Sequence, residues 1–354
     1  MGRRFLPLLL GIVLVSLPSF ASNWVQVRSR HFRVVSDAGE GQARAVAQRF
    51  EQMRAIFGTM FHRNSMNSPV PLDIVAFRSQ DEFMRYVPMW KGKPVSLTGF
   101  FQGSDDQNFI GIEMSSSDPF GTVCHEYVHL LLRENFPAMP LWFEEGFAEY
   151  FATLKVNRDQ VELGAVPPQY ASLLASTKWM PVTDLFSVQH DSDAYNDNDR
   201  RSIFYAESWL AVQYLIANNR LVDAFKYLHL NQIEGVPVAD AMQQAFGMAP
   251  ARFEKVLQDY LASHPVPSRM SMPELNDEPY TASGISDVNT AALLADMHVH
   301  SKDHVQESQQ EFQAVLQKDP GNVIANRGLG YWYLSNDQYD QAARAFQKAL
   351  TAND

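Results

Sequence analysis

The stretch Cys124-His125-Glu126-Tyr127-Val128-His129-Leu130 constrains the fold of this chain more than any other feature. Residues four apart on a helix lie one above the other, so a helix here would direct the rings of His125 and His129 at one point. Glu126 is turned by about 100° and would reach a water at that point rather than a metal ion. The stretch therefore predicts a metal site on a helix, and a tetrahedral ion there needs a third protein ligand from elsewhere.

The residues around this stretch predict that it is helical. Asp118 is a favourable N-cap and Pro119 is favoured at the first helical position, so the helix is expected to begin there. Pro137 lies just beyond its expected end. Cys124, the only cysteine of the chain, is interpreted as a small buried residue of this helix, with a nucleophilic role as the alternative. A single cysteine cannot form an intramolecular disulfide.

A second predicted helix, which Pro140 opens, supplies the candidates for the third ligand: Glu144, Glu145 and Glu149. Glu145 and Glu149 are four residues apart and share a face. If Glu145 binds the metal, Glu149 can hold a ligand histidine by its other ring nitrogen, whereas Glu144 has no acid four residues on. The alternative is an exposed acidic face, but aromatic residues that would bury the helix surround the acids: Trp142, Phe143, Phe147, Tyr150 and Phe151. The third ligand is therefore placed at Glu145.

Together the two helices resemble those of the gluzincin zinc metallopeptidases, the class that includes thermolysin and the aminopeptidase N family. The pattern His125-Glu126-x-x-His129, followed by Trp142-x-x-Glu145-Gly146-x-Ala148, is similar to H-E-x-x-H followed by W-x-x-E-G-x-A in the aminopeptidases. The loop between the two parts is a few residues shorter here. The resemblance is strongest to the peptidase-MA-like group and covers roughly residues 24–263. It implies a zinc ion, and it implies that Glu149 supports a ligand histidine.

The resemblance extends to Phe204-Tyr205-Ala206-Glu207-Ser208-Trp209-Leu210, which looks like the aminopeptidase segment whose tyrosine supports the oxyanion. It implies a catalytic role for Tyr205, and a tyrosine packed in the core is the alternative. One aminopeptidase segment, G-x-M-E-N, has a glutamate that binds the free amine of the substrate. The nearest stretch here, Gly111-Ile112-Glu113-Met114, has the wrong order and lies too close to His125, so that role is not assigned to Glu113.

Residues 1–21 have the pattern of a secretory signal peptide. Arg3 and Arg4 precede an apolar run, and Ser19 and Ala21 are the small residues of a cleavage site. The apolar run is shorter than the ~20 residues of a membrane-spanning helix, and an uncleaved anchor is the alternative. We therefore expect an exported protein, periplasmic or extracellular, whose mature chain has no membrane span.

The charge of the chain argues against one class of partner. Its 40 acidic residues exceed its 29 Lys and Arg residues, which gives a formal net charge of −11. Such a surface repels phosphate backbones, so no nucleic-acid partner is expected. A chain of 354 residues is long for a single hydrophobic core, so two domains, or one domain with an appendage, are expected.

Hydrophobic periodicity predicts an α+β fold. Alternation predicts strands within residues 24–35, 71–77 and 108–114, and three- and four-residue steps predict a helix over residues 42–61. Beyond about residue 200 the pattern becomes helical. Residues 22–263 are therefore expected to form a gluzincin-like domain with a mixed sheet, active-site helices and a helical subdomain.

The carboxy-terminal part contains an internal repeat. Phe312 and Leu316 recur 34 residues later as Phe346 and Leu350. The period resembles tetratricopeptide repeats over residues 289–354, and a linker without periodicity is expected over residues 264–288. Two such repeats leave an apolar face that must dock on the catalytic domain, on a protein partner or on further sequence.

Three histidines lie in the loop of the first repeat: His298, His300 and His304. Together with Asp296 and Asp303 they could form a second metal site. The interpretation favoured by the sequence is that they are solvated polar residues of the loop.

These patterns lead to one preferred function and two alternatives. The preferred function is an exported zinc metallopeptidase that cleaves peptide or unfolded-protein substrates, with His125, His129 and Glu145 holding Zn²⁺. Glu126 would take the proton of a zinc-activated water as it attacks the carbonyl, and return it to the leaving amine. The alternatives are a catalytically silent peptidase-like scaffold whose repeats bind protein partners, and a zinc hydrolase of a non-peptide bond.

Overall fold

The computed structural model describes residues 24–352 except 64, 91, 96, 197 and 276–278, so the predicted signal peptide lies outside the described residues. The strands are β1 (Val25–Arg28), β2 (Arg33–Ser36), β3 (Leu72–Phe77), β4 (Met89–Trp90), β5 (Lys93–Pro94), β6 (Gly99–Gln102), β7 (Asn108–Glu113), β8 (Lys155–Asn157), β9 (Gln160–Leu163), β10 (Ser268–Ser271) and β11 (Thr281–Gly284). The helices are α1 (Glu40–Met60), α2 (Gln80–Phe83), α3 (Gly121–Asn135), α4 (Leu141–Ala152), α5 (Pro168–Ser176), α6 (Val182–Leu185), α7 (Asp193–Asn196), α8 (Asn198–Ala217), α9 (Leu221–Leu228), α10 (Val238–Phe246), α11 (Pro250–Ala262), α12 (Asp287–Val299), α13 (Val305–Lys318), α14 (Val323–Ser335) and α15 (Tyr339–Thr351). A π-helical turn, His229–Ile233, continues α9.

A mixed sheet forms the centre of the fold. Within the described residues its strand order is β11-β1-β2-β3-β7-β6. β2, β3 and β7 run parallel, while β1, β11 and β6 pair antiparallel at the two sides. Every residue of β3 and β7 is buried, as expected for central parallel strands that are covered on both faces. This mixture of helices and a mixed sheet is compatible with the expected α+β class.

Alternation along β3 divides the core into two layers. Ile74 belongs to the larger cluster, in which α1, α3, α4 and α8 pack together. Val75, which points to the opposite face, belongs to a second cluster that includes Leu293 and Met297 of α12. The first helix of the predicted repeats therefore covers part of the second face of the sheet.

The carboxy-terminal helices pack on one another in chain order, from α12 to α15. Gly330 of α14 lies against the ring of Phe346 in α15, where a Cβ would come within 2.4 Å of a ring atom. Any larger residue at this position would separate the two helices. α12 therefore packs on the sheet domain, while Tyr339 and Leu350 of α15 remain exposed.

The segment predicted to be a linker, residues 264–288, carries two short strands. β10 pairs with β9, and β11 pairs with β1 at the edge of the main sheet. Both strands are rich in small polar residues and lack apolar alternation, so their pairing with distant strands gives no local signal.

The helix of the ligand motif begins later than predicted. α3 starts at Gly121 with Phe120 in the N-cap position, rather than at Asp118 and Pro119. The carboxylate of Asp118 accepts hydrogen bonds from the backbone N–H groups of Phe120 and Gly121, at 3.3 and 3.1 Å. The acid therefore still satisfies amides at the helix start, but from two positions before the N-cap.

No helix in the described part of the chain is both long and apolar enough to cross a bilayer.

Candidate metal centre and cleft

Helices α3 and α4 bring the three predicted metal ligands together. Nε2 of His125 lies 3.0 Å from Nε2 of His129. Oε2 of Glu145 lies 3.3 Å from the first nitrogen and 3.4 Å from the second. Glu144, the neighbouring acid, does not belong to this converging group, and burial raises its pKa. We call Nε2 of His125, Nε2 of His129 and Oε2 of Glu145 the ligand triangle. The three atoms converge, as the sequence predicts.

The dimensions of the ligand triangle suit a tetrahedral ion. Metal–ligand bonds of about 2.0–2.2 Å place the ligand atoms of a zinc tetrahedron about 3.4 Å apart. Oε2 of Glu145 is buried and makes no regular hydrogen bond to a described residue, as expected for an oxygen whose partner is an ion. Two imidazoles and one carboxylate are also a donor set that catalytic zinc sites use. The residues present therefore fit a zinc ion.

The electrostatics of the ligand triangle favour bound positive charge. Burial disfavours the charged form of His125, but its contacts with Glu145 and then Glu149 raise its pKa to about 10. Burial likewise favours the neutral form of Glu145, but its contacts with His125 and His129 lower its pKa. The acids therefore stabilise positive charge at the triangle, and zinc binding there would compete with protonation of His125.

Glu149 occupies the supporting position that the sequence predicts. Its Oε1 lies 3.2 Å from Nδ1 of His125, the ring nitrogen on the side away from the ligand triangle. A carboxylate at this nitrogen fixes the tautomer and orientation of the ring. Tyr170 of α5 lies beside Glu149. Burial, and then the charge of Glu149, raise the pKa of this tyrosine. The sequence analysis does not predict Tyr170.

A second tyrosine outside the predicted set holds the other oxygen of Glu145. The hydroxyl of Tyr195 donates a hydrogen bond to Oε1 of Glu145 at 3.1 Å. Because Oε1 accepts this bond, Oε2 is the oxygen that faces the two histidines. Tyr195 lies on α7, a single helical turn in a stretch of mostly polar residues, so its only sequence signal is an isolated aromatic side chain.

One residue of the ligand triangle, His125, lines an open cleft of about 1120 Å³. His125, Glu126 and Tyr205 all line this cleft. The ring of Tyr205 stacks on the ring of His125 with 6.2 Å between centroids, and on the ring of Tyr195 with 6.3 Å. A substrate in the cleft would therefore meet the predicted base and the predicted oxyanion tyrosine beside a metal ligand.

Close packing of α8 on α4 places Tyr205 there. A Cβ on Gly146 would lie 2.3 Å from the carbonyl oxygen of Ser208, so only glycine allows the two helices to approach this closely. Gly146 follows the ligand Glu145 directly, and Ser208 lies one helical turn after Tyr205. The helix crossing therefore couples the position of the tyrosine to that of the ligand.

Cys124 is buried in α3, as the sequence analysis favours. Its Sγ lies 3.3 Å from Sδ of Met53. Burial raises the pKa of the thiol to about 12, so it remains protonated at neutral pH. These surroundings argue against a nucleophilic role.

Neither a comparison with protein-family models nor a search of curated proteins finds a match to this chain. The family resemblance therefore depends on the motif residues themselves, and the function must be argued from the geometry of the site.

Proposed function

We propose that this protein is an exported zinc metallopeptidase that hydrolyses peptide bonds. The observation that carries the proposal is the ligand triangle, with sides of 3.0, 3.3 and 3.4 Å, whose His125 lines an open cleft together with Glu126. A zinc site with three protein ligands leaves one position for water or substrate, which is the arrangement of catalytic rather than structural zinc.

In this proposal the residues of the chain have separate roles. His125, His129 and Glu145 hold the ion, which when bound supplies a Lewis acid and lowers the pKa of a water. Glu126, adjacent to a ligand but turned into the cleft, takes a proton from the attacking water and delivers it to the leaving amine. The carboxylate accepts the proton in the first step, so the carboxylic acid that results can donate it in the second step.

Other side chains position the reacting groups. Glu149 orients the ring of His125 through Nδ1, and Tyr195 orients the carboxylate of Glu145 through Oε1. Tyr205 would donate its hydroxyl to the carbonyl oxygen where negative charge develops during attack. Its place in the cleft, stacked on His125, supports this role.

The finer architecture follows from the same proposal. Residues 22–263 would be a gluzincin domain of the peptidase-MA-like group, and residues 289–354 would be tetratricopeptide repeats that bind a protein partner. The motif spacing supports the first assignment, and the recurrence of Phe312 as Phe346 supports the second. The signal-like residues 1–21 support export to a periplasm or to the outside of the cell.

Substitution of Glu126 by glutamine tests this function. Glu126→Gln removes the base without touching a ligand, so it should keep the zinc content of the parent chain while losing hydrolysis of unstructured protein substrates. Glu134→Gln, the same change at the far end of α3, is the matched control and should keep full activity. Zinc content by metal analysis and cleavage of a broad peptide library are measured on the purified mature chain.

Three results are informative. Activity in the parent and the Glu134→Gln chain, with none in the Glu126→Gln chain, supports the peptidase. Equal inertness of all three chains with zinc bound would favour the catalytically silent scaffold. Cleavage of ester substrates but of no peptide would favour hydrolysis of a non-peptide bond.

A further inference from the structure

The three histidines of the first repeat loop are not solvated, contrary to the sequence interpretation. His298 is 5% exposed and His304 is 7% exposed, and the ring of His300 is buried as well. They lie at the end of α12 and the start of α13, where the first repeat meets residues 85–87 of the sheet domain. The docking of α12 on the sheet accounts for their burial.

In His298 and His304 the same ring nitrogen, Nε2, makes a hydrogen bond to a backbone carbonyl. Nε2 of His298 donates to the backbone carbonyl of Arg85 at 3.2 Å, and Nε2 of His304 donates to the backbone carbonyl of Val87 at 3.1 Å. A carbonyl oxygen only accepts, so both Nε2 atoms must carry the proton. A neutral imidazole then presents Nδ1 as a bare lone pair, which is how backbone carbonyls fix the tautomer of metal-binding histidines.

The two Nδ1 atoms face acids rather than donors. Nδ1 of His298 lies 2.9 Å from a carboxylate oxygen of Glu311, and Nδ1 of His304 lies 3.5 Å from one of Glu307. Nδ1 of His304 is buried and makes no hydrogen bond to a described residue. An ionised carboxylate cannot donate a proton to either nitrogen, so the cluster lacks a positive partner unless the rings are doubly protonated.

We propose that His298, His304 and Glu307 form a second site for a divalent metal ion, with zinc as the metal that suits the donors. One ligand atom from each of these residues lies within 4.8 Å of those of the other two. The carboxylate of Glu311 also lies next to Nδ1 of His298 but does not belong to this group. Two imidazole nitrogens and a carboxylate oxygen are a donor set that zinc uses.

This second site joins three parts of the fold. His298 ends α12, His304 and Glu307 begin α13, and the backbone that orients both rings belongs to the loop after α2. A bound ion would therefore fix the turn of the first repeat against the sheet domain. Its entry route is on the side of Glu307, whose side chain is 62% exposed.

His300 provides the matched control, because its ring is buried in the same interface but does not belong to a convergent group of three ligand atoms among the described residues. Its Nδ1 donates to the backbone carbonyl of Asp296 at 2.7 Å, and its Nε2 lies 3.0 Å from Oδ1 of Asp106. Replacing it disturbs the interface without removing a metal ligand.

The test counts zinc in a full-length mature chain whose ligand triangle has been disabled by His129→Ala. In equilibrium dialysis against zinc alone this background should still bind about one equivalent, and zinc should raise its melting temperature. Adding His304→Gln keeps an N–H donor for Val87 but removes the ligand nitrogen, and should abolish both effects. Adding His300→Gln should preserve both.

A second variant guards against a folding defect. Glu307→Gln changes an exposed side chain that no core residue needs, and it should weaken zinc binding in the same background by about tenfold or more. Zinc binding that survives both His304→Gln and Glu307→Gln would overturn the proposal. So would a folded His129→Ala chain that binds no zinc.

Discussion

Tyr195→Phe should weaken zinc binding at the ligand triangle by about tenfold to a hundredfold. The substitution removes one hydroxyl, which donates to Oε1 of Glu145 at 3.1 Å. Glu145 is 3% exposed, so water cannot readily replace the lost donor. A hydrogen bond to a charged group contributes about 1.5–3 kcal/mol, and about 1.4 kcal/mol corresponds to a factor of ten in affinity. The expected range agrees with the effect of other residues that orient metal ligands.

The measurement is a competition for zinc between the purified mature chain and a chromophoric chelator of known affinity, at constant pH and salt. Tyr205→Phe is the control, because it removes the same atom from a tyrosine of the cleft whose hydroxyl is assigned to the substrate carbonyl rather than to Glu145. It should leave the dissociation constant of zinc within about threefold of the parent value. Thermal unfolding of each chain verifies that both variants fold. A Tyr195→Phe chain whose zinc affinity equals that of the control would refute the positioning role of this hydroxyl.

Three further outcomes are expected. In the same competition, Glu145→Ala should lower zinc affinity by more than about a hundredfold, since a ligand is lost, whereas Glu144→Ala should change it far less; equal losses would reject Glu145 as the ligand. Tyr205→Phe should lower kcat by about 10² to 10³ with KM nearly unchanged, and activity within a few fold of the parent would leave Tyr205 a packing residue. Burial raises the pKa of Glu207 to about 8, above its unfolded value, so its ionisation should destabilise the fold as pH rises from about 4.5 to 8. Glu207→Gln keeps the acceptor for the backbone N–H of Met180, and urea unfolding should show a gain of at least about 1 kcal/mol above pH 8 and almost none near pH 5.

Much of the candidate site can be predicted from sequence because its geometry is local to two helices. The spacing of His125 and His129 places both rings on one face of α3, and the spacing of Glu145 and Glu149 does the same on α4. Only the packing of α3 on α4 depends on tertiary structure. Once that packing exists, the contact of Glu149 with His125 follows from the same helical repeat.

The residues that sequence analysis misses depend on contacts between distant segments. Tyr195 reaches Glu145 from a single helical turn in a polar stretch, and Tyr170 reaches Glu149 from the separate helix α5. No hydrophobic period reveals the direction of Tyr195. Tyr170 shares a period with Leu173 and Leu174, which predicts a buried face but not the acid that it meets. The burial of His298 and His304 is hidden for a similar reason. The pattern of a helix pair indicates that one face is apolar but does not identify the surface it covers.

The pairing of β1 with β11 has a consequence for when the protein can fold. β1 pairs with β2 on one side, but its other side pairs with β11, where Val25 is aligned with Gly284. Contacts between residues so far apart in sequence form slowly, because a long loop must close before the pairing stabilises it. Until α12 follows, one face of the nascent sheet also stays uncovered. The sheet therefore stays incomplete until residues 281–299 have been synthesised, which would suit the export proposed above.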